Sequence, residues 1–299
     1  MGFAFHEHGV PTVDEAVCSG CGLCVGTCPD EVLEQGPGGK PHAGHGVFLG
    51  CIACGHCVAV CPTGAIRVSG HGMTPDDRLE LPPRDARATA DATESLLTAR
   101  RSIRRFRPDE VPRDALERIV RMASTAPMGI PPHEVGVVVF PTREKVRAFS
   151  REACDEFARM HRFLNPVVLG LMRPFIGKYQ YAAFRDFIRP LLKMLADGRK
   201  QGRDDFTYDA PAALLFHYGP ESDGADTHIA ATYAMLMAES LSLGSCMLGT
   251  TAGLSHDKQF KQKYGVPPKN KFGLGLVLGH PQEVFQRGIR RRLASVRFA

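Results

Sequence analysis

The chain has 299 residues, 43% of them hydrophobic, and a net charge of +5. This length and composition are typical of a globular protein with two domains. No run of eighteen apolar residues is present, so we predict no transmembrane segment. The first residues lack a basic stretch followed by an apolar one, so we expect no secretory signal and a cytoplasmic location.

Charge is unevenly distributed along the chain. Residues 1–69 carry a net charge of −4, which leaves +9 on residues 70–299. The acidic and basic parts could dock on each other through these charges, or the second part could simply be basic in its own right. The basic residues are spread out and no stacking-aromatic motif accompanies them, so we expect no nucleic-acid partner.

Eight of the ten cysteines lie between Cys18 and Cys61, in two runs of identical spacing. Each run reads C-x-x-C-x-x-C-x-x-x-C-P, starting at Cys18 and at Cys51. Zinc sites normally use two C-x-x-C pairs separated by a longer loop, and disulfides are not expected in a reducing compartment. The spacing therefore predicts two 4Fe–4S clusters.

The fourth cysteine of each run is expected to ligate the cluster of the other run. Three cysteines at intervals of three wrap the chain around one cubane, and the fourth lies too far along to close the same corner. The predicted ligands are Cys18, Cys21, Cys24 and Cys61 for one cluster, and Cys51, Cys54, Cys57 and Cys28 for the other. Residues 12–69 resemble a two-cluster bacterial ferredoxin, and we predict a ferredoxin-like domain over residues 1–69.

Residues 70–93 are polar, charged and proline-containing, which predicts a flexible linker. After it, the pattern predicts an α+β domain over residues 94–299. A short helix precedes a basic turn at 100–106, and apolar spacing predicts further helices at 115–123 and 229–244. Apolar and β-branched runs predict strands at 135–140, 212–217 and 272–279.

Residues 151–203 form a long basic stretch. Apolar residues from 184 to 195 fall at helical spacing and predict an amphipathic helix, bent at Pro190. Three roles remain open for it: packing in the core or a dimer interface, a lid over the active site, or a membrane-surface helix for a quinone.

Three motifs, in order, resemble those of the nitroreductase family. They are the segment RRSIRRF at 100–106, LGSCMLG at 243–249, and LGHP at 278–281 with basic residues at 290–292. The resemblance covers residues 94–299. It implies a central mixed sheet wrapped by helices, an FMN cofactor, and a homodimer with FMN at its interface.

The resemblance also implies which residues hold FMN. Arginine supplies both the charge and the fork geometry that a phosphate needs. The implied phosphate-binding residues are Arg100, Arg101, Ser102 and Arg104, with Arg290 and Arg292 from the C-terminal end. The implied flavin-lining residues are Met247, Leu248 and Gly249, with Pro127, Met128 and Gly129. A solvated basic turn and a helix C-cap are the simpler alternatives for the first and second motifs.

One segment departs from the family pattern. Where the family often has Asn and Gln near the flavin or substrate, this chain has Pro131 and His133. His133 could donate a proton or hydrogen bond, although a surface or capping role is favoured. The spacing in GLGLVLG at 273–279 lacks the helix that a dinucleotide site needs, so we predict no nicotinamide site there. We predict no individual catalytic residue.

The predicted function is an FMN-dependent iron–sulfur oxidoreductase. Electrons would pass from two 4Fe–4S clusters to FMN and then to a small-molecule acceptor such as a nitro compound, a quinone or an enone. An external low-potential donor would supply them. Two alternatives remain: flavin-dependent oxidation of a substrate with electrons leaving through the clusters, and a non-enzymatic redox relay or sensor.

Overall fold

The computed structural model describes residues 8–129 and 133–298, which form two compact units. The first unit comprises the described residues up to 87, together with residues 127–129, 133–135 and 221–223. The second comprises residues 88–126, 136–220 and those from 224 onward. Within the described residues, no helix is both long and apolar enough to cross a bilayer.

The first unit is built from two short helices and two strand pairs. Its elements are β1 (Val10–Val13), α1 (Leu23–Thr27), β2 (Leu33–Gln35), β3 (Pro41–Ala43), α2 (His56–Val60) and β4 (Ile66–Ser69). Strand β1 pairs antiparallel with β4, and β2 with β3. Both helices follow a glycine in the left-handed region, Gly22 (φ 72°) and Gly55 (φ 73°), where a side chain would be strained. The two cysteine runs thus share one local fold.

The second unit is a sheet covered by helices. Its helices are α3 (Ala90–Ala99), α4 (Arg113–Ala123), α5 (Arg143–Phe163), α6 (Pro166–Ala183), α7 (Arg189–Lys200), α8 (Gly224–Ser240) and α9 (Lys258–Lys263). Its strands are β5 (Val135–Phe140), β6 (Ala212–Tyr218), β7 (Gly244–Leu248) and β8 (Lys271–Gly279), in the order β5-β6-β8-β7. Strand β8 pairs antiparallel with both β6 and β7.

Glycines in β8 allow neighbouring elements to approach the sheet closely. A Cβ on Gly273 would overlap the hydroxyl of Thr227, which lies in α8. A Cβ on Gly275 would stand 2.8 Å from Cγ2 of Thr251. Because glycine in a strand often marks close approach, the GLGLVLG spacing has a packing explanation.

The three predicted strands coincide with β5, β6 and β8 to within one residue at each end. The helix predicted at 229–244 ends earlier, at Ser240, because Ser242 takes a left-handed conformation (φ 58°) and the chain then pairs with β8 as β7. Residues 90–93, predicted as linker, belong to α3, whose first turn is capped by the Thr89 hydroxyl.

The basic stretch at 151–203 folds as the end of α5, all of α6 and α7, and a wide π-type turn (Phe184–Ile188) before Pro190. That turn supplies the predicted bend, since a proline removes a backbone donor at the start of α7. Phe163, Val167, Leu171 and Phe175 are 67%, 72%, 69% and 88% exposed, so this row lies outside the core.

Candidate cofactor sites

Four of the predicted cluster ligands surround one cavity in the first unit. Cys18, Cys21 and Cys24 come from the first run, and Cys61 comes from the end of the second. The loop before α1 presents Cys18 and Cys21, α1 itself presents Cys24, and the chain leaving α2 presents Cys61. The three-plus-one grouping expected from the spacing is therefore present here.

The other four thiols surround a second cavity. Cys51, Cys54 and Cys57 line it together with Cys28 from the end of the first run. Among the described residues, no group of three or more His, Cys, Asp or Glu is placed to hold one metal ion.

Three thiols of the two cavities, Cys24, Cys51 and Cys57, have a raised pKa and resist ionisation without a metal. Burial raises the pKa of Cys57 to about 12, and the nearby thiols of Cys51, Cys54 and Cys28 add to the rise. Burial also raises the pKa of Cys24. Four thiolates in one such cavity need cationic iron to compensate their repulsion, and so the donor set fits a cluster.

Cys61 differs from these thiols. Burial acts to raise its pKa, but hydrogen bonds from the Thr63 hydroxyl and from backbone amides outweigh that effect and lower it. The amide of Ala65 donates to Cys61 Sγ at 3.3 Å, as the amide of Val32 does to Cys28 at the equivalent place in the first run. Backbone amides thus donate to both of the predicted crossing ligands.

Two of the predicted flavin segments meet in the second unit. The amide of Ile103 donates to the carbonyl of Ser245 at 2.9 Å, and Ser102 pairs with Ser245 in a parallel bridge. Segment 100–104 therefore lies along β7. The side chains of Ser102 and Arg104 both contact the thiol of Cys246, which helps to raise the pKa of Arg104.

Space opens at the end of β7. A Cβ added to Gly249 would have no atom within 4 Å, whereas one added to Gly244 would stand 2.5 Å from Cγ1 of Ile103. Gly244 thus lets segment 100–104 approach the strand, and Gly249 faces open space. Hydroxyl and guanidinium donors with open space beside a glycine fit an anionic, planar cofactor.

The remaining predicted phosphate residues are less closely grouped. Burial raises the pKa of Glu239, and the charges of Arg100 and Arg101 oppose that rise, so both arginines lie near this carboxylate. Arg101 also lines an open cavity along the C-terminal segment. Arg290 and Arg292 are exposed in that segment, and no described hydrogen bond or ion pair joins them to residues 100–104.

Comparison with family models covers both units. The model of the nitroreductase family matches residues 97–280, well over half of the chain. The chain belongs to the nitroreductase family. A second model, for a 4Fe-4S dicluster domain, matches residues 17–66, so the predicted fusion of these two domains in one nitroreductase-family oxidoreductase is confirmed.

Solved structures agree with this fold. A nitroreductase with bound FMN from Bacteroides fragilis has a TM-score of 0.51 at 19% identity, and covers 69% of this chain and 97% of its own. An FMN-dependent nitroreductase from Clostridium difficile has a TM-score of 0.50 at 16% identity, and covers 70% of this chain and 100% of its own. No curated protein sequence matches the chain.

Part of the region matched by the nitroreductase model belongs to the first unit. Residues 127–129, predicted to line the flavin, belong to that unit, whereas residues 100–104 belong to the second. His133 Nε2 lies 3.1 Å from the carbonyl oxygen of Ala53, between two cysteines of the second cavity. The sequence carried no signal for this contact across eighty positions. Pro131 lies outside the described residues.

Proposed function

We propose that this protein is an oxidoreductase that holds two 4Fe–4S clusters and one FMN and reduces an organic acceptor. The acceptor class is a nitro compound, a quinone or an enone, and an external low-potential donor supplies the electrons. The single observation that carries the proposal is the three-plus-one grouping of eight thiols around two cavities in a chain of the nitroreductase family.

The bound groups would supply complementary chemistry, since clusters exchange single electrons and a flavin exchanges two. The chain's own contribution at the cluster sites is to hold four thiolates around each cavity. Amides of Val32 and Ala65 donate to the crossing ligands, Cys28 and Cys61, at 3.3 Å. These bonds orient the two sulfurs and partly offset their negative charge.

At the flavin site, the proposed role of the chain is binding and positioning. Ser102 and Arg104 would donate to the anionic part of FMN, with Arg100 close by, because these are the donors that phosphate prefers. The open space at Gly249 would admit the ring at the end of β7. The B. fragilis nitroreductase, which shares this fold, contains bound FMN, and that supports the proposal.

We further propose a homodimer as the functional form, as membership of the family implies, and a cytoplasmic location. No side chain in the site is assigned as an acid or base. Proton supply to the acceptor is therefore proposed to come from solvent, and the contribution of the protein is to orient the reactants.

The test is an anaerobic preparation with iron, sulfide and flavin measured per chain. We expect about eight irons and one FMN, with the flavin bleached by a low-potential donor and restored by one of the three acceptor classes. Cys61→Ala should lose about four irons. Cys154→Ala is the matched control, because Cys154 is a buried thiol of the second unit outside both cavities.

Other outcomes would contradict the proposal in identifiable ways. Full iron without flavin would mean that residues 100–104 and Gly249 do not form a flavin site. If an organic substrate reduced the flavin faster than the low-potential donor did, the proposed direction of electron flow would be reversed. A reduced flavin that no acceptor reoxidises would favour a relay or sensor.

A further inference from the structure

The two cysteine runs differ at the second position after the crossing ligand. Thr63 follows Cys61, and Asp30 follows Cys28 at the equivalent place. Thr63 lines the cavity of Cys18, Cys21, Cys24 and Cys61, whereas Asp30 lines the cavity of the other four thiols. The two cavities are therefore alike in their ligands and unlike in the polar group beside them.

Thr63 is placed to donate to a ligand sulfur. Its Oγ1 lies 3.7 Å from Cys61 Sγ, within the range of a hydrogen bond to sulfur. An iron-bound thiolate carries no proton, so the hydroxyl must be the donor. The amide of Ala65 reaches the same sulfur at 3.3 Å. Donors to sulfur stabilise the more negative, reduced form of a cluster and so raise its potential.

Asp30 cannot act in this way. Its carboxylate oxygens accept from the amides of Phe48 at 2.9 Å, Leu49 at 3.0 Å and Gly50 at 2.6 Å, so the group is an acceptor with no proton to give. A carboxylate at this cavity disfavours further negative charge there. The rest of the lining includes the apolar Val32 and, on its exposed side, His56.

We infer that the two cluster sites have unequal midpoint potentials, with the higher potential at the site that contains Cys61, and that Thr63 and Asp30 set the difference. This inference rests on the proposed function, since it requires both clusters. At equilibrium the first electron then resides at the Cys61 site. Thr63 acts through Cys61 as a positioning residue.

The test is a redox titration of the anaerobic holoprotein. The paramagnetic resonance signal of the reduced clusters is measured at each potential. Thr63→Val removes the hydroxyl at nearly constant volume, and we expect the higher potential to fall while the lower one is unchanged. A tenfold change in the electron's distribution between the sites equals a shift of about 59 mV for a one-electron couple. Thr63→Ser should restore the value, and Thr12→Val, at an exposed threonine of β1, is the control.

Asp30→Asn supplies an independent second measurement. It removes the charge but keeps an oxygen to accept from the amides, and we expect it to raise the lower potential. Unchanged potentials in both variants at full iron content would overturn the inference, as would a Thr63→Val shift confined to the lower potential. If the unsubstituted protein itself binds fewer than about eight irons, the proposed function fails instead.

Discussion

Gly249→Ala tests whether the end of β7 is the flavin site. Gly249 does not use the left-handed region, and an added Cβ meets no atom within 4 Å, so the folded chain accommodates alanine without strain. The free energy of unfolding of the flavin-free protein should rise by about 0.4–1 kcal/mol, because alanine has less freedom than glycine in the unfolded chain. Stability alone would therefore make this a favourable substitution.

Flavin binding should respond in the opposite direction. If the ring occupies the open space, the new methyl group overpacks the holoprotein, which typically costs about 1–3 kcal/mol. At about 1.4 kcal/mol for each factor of ten, the dissociation constant of FMN should rise by about 5–150-fold. The assay is titration of the flavin-free protein with FMN, in which binding is measured by the quenching of flavin fluorescence.

Gly170→Ala is the matched control, because Gly170 lies in α6 and its added Cβ also meets no atom within 4 Å. It should stabilise the protein to a similar extent and leave FMN affinity unchanged. A stable Gly249→Ala protein that binds FMN as tightly as the unsubstituted one would refute the placement of the flavin at β7.

Three further outcomes are expected. The double variant Cys18→Ala/Cys61→Ala should keep about four irons, as Cys61→Ala alone does, whereas uncrossed ligation would remove both clusters. Gly244→Ala should lower the free energy of unfolding by about 1–3 kcal/mol in chemical denaturation and weaken FMN binding, since its Cβ would press on Ile103; unchanged stability would contradict this packing. Burial lowers the pKa of His217, so the unfolded chain takes up a proton first as the pH falls below about 6.5, and stability should fall there. Urea titrations give the free energy of unfolding at pH 7.5 and at pH 5.5. The loss of stability between these two pH values should be smaller for His217→Gln than for the unsubstituted protein. An equal loss in both proteins would exclude His217 as the cause.

The sequence was most informative about the cluster sites, because their ligands are only a few positions apart along the chain. The cysteines of each run are three or four positions apart, so their grouping follows from local chain geometry, and the crossing of Cys28 and Cys61 followed from the reach of the chain. The strands β5, β6 and β8 were predictable because each is a continuous apolar run, typical of strands buried in a sheet.

Strand β7 was missed for a physical reason. Its five residues follow a long apolar helix after only three intervening residues, and only pairing with β8 makes them a strand. The same pairing sets Ser245 beside Ser102, more than a hundred positions away, and so brings two of the predicted flavin segments together. Such a contact depends on the packing of the whole sheet and leaves no periodic trace in the sequence.

The sequence by itself predicted which cysteines group around each cavity, and it determined the order of the two matched domains and the family of the second. Only the tertiary structure decided that the Asp30 carboxylate accepts from the amides of residues 48–50 and that His133 reaches the carbonyl of Ala53. The reason is that ligand spacing is a property of a few consecutive residues. Hydrogen bonds between distant segments depend on the packing that brings those segments together.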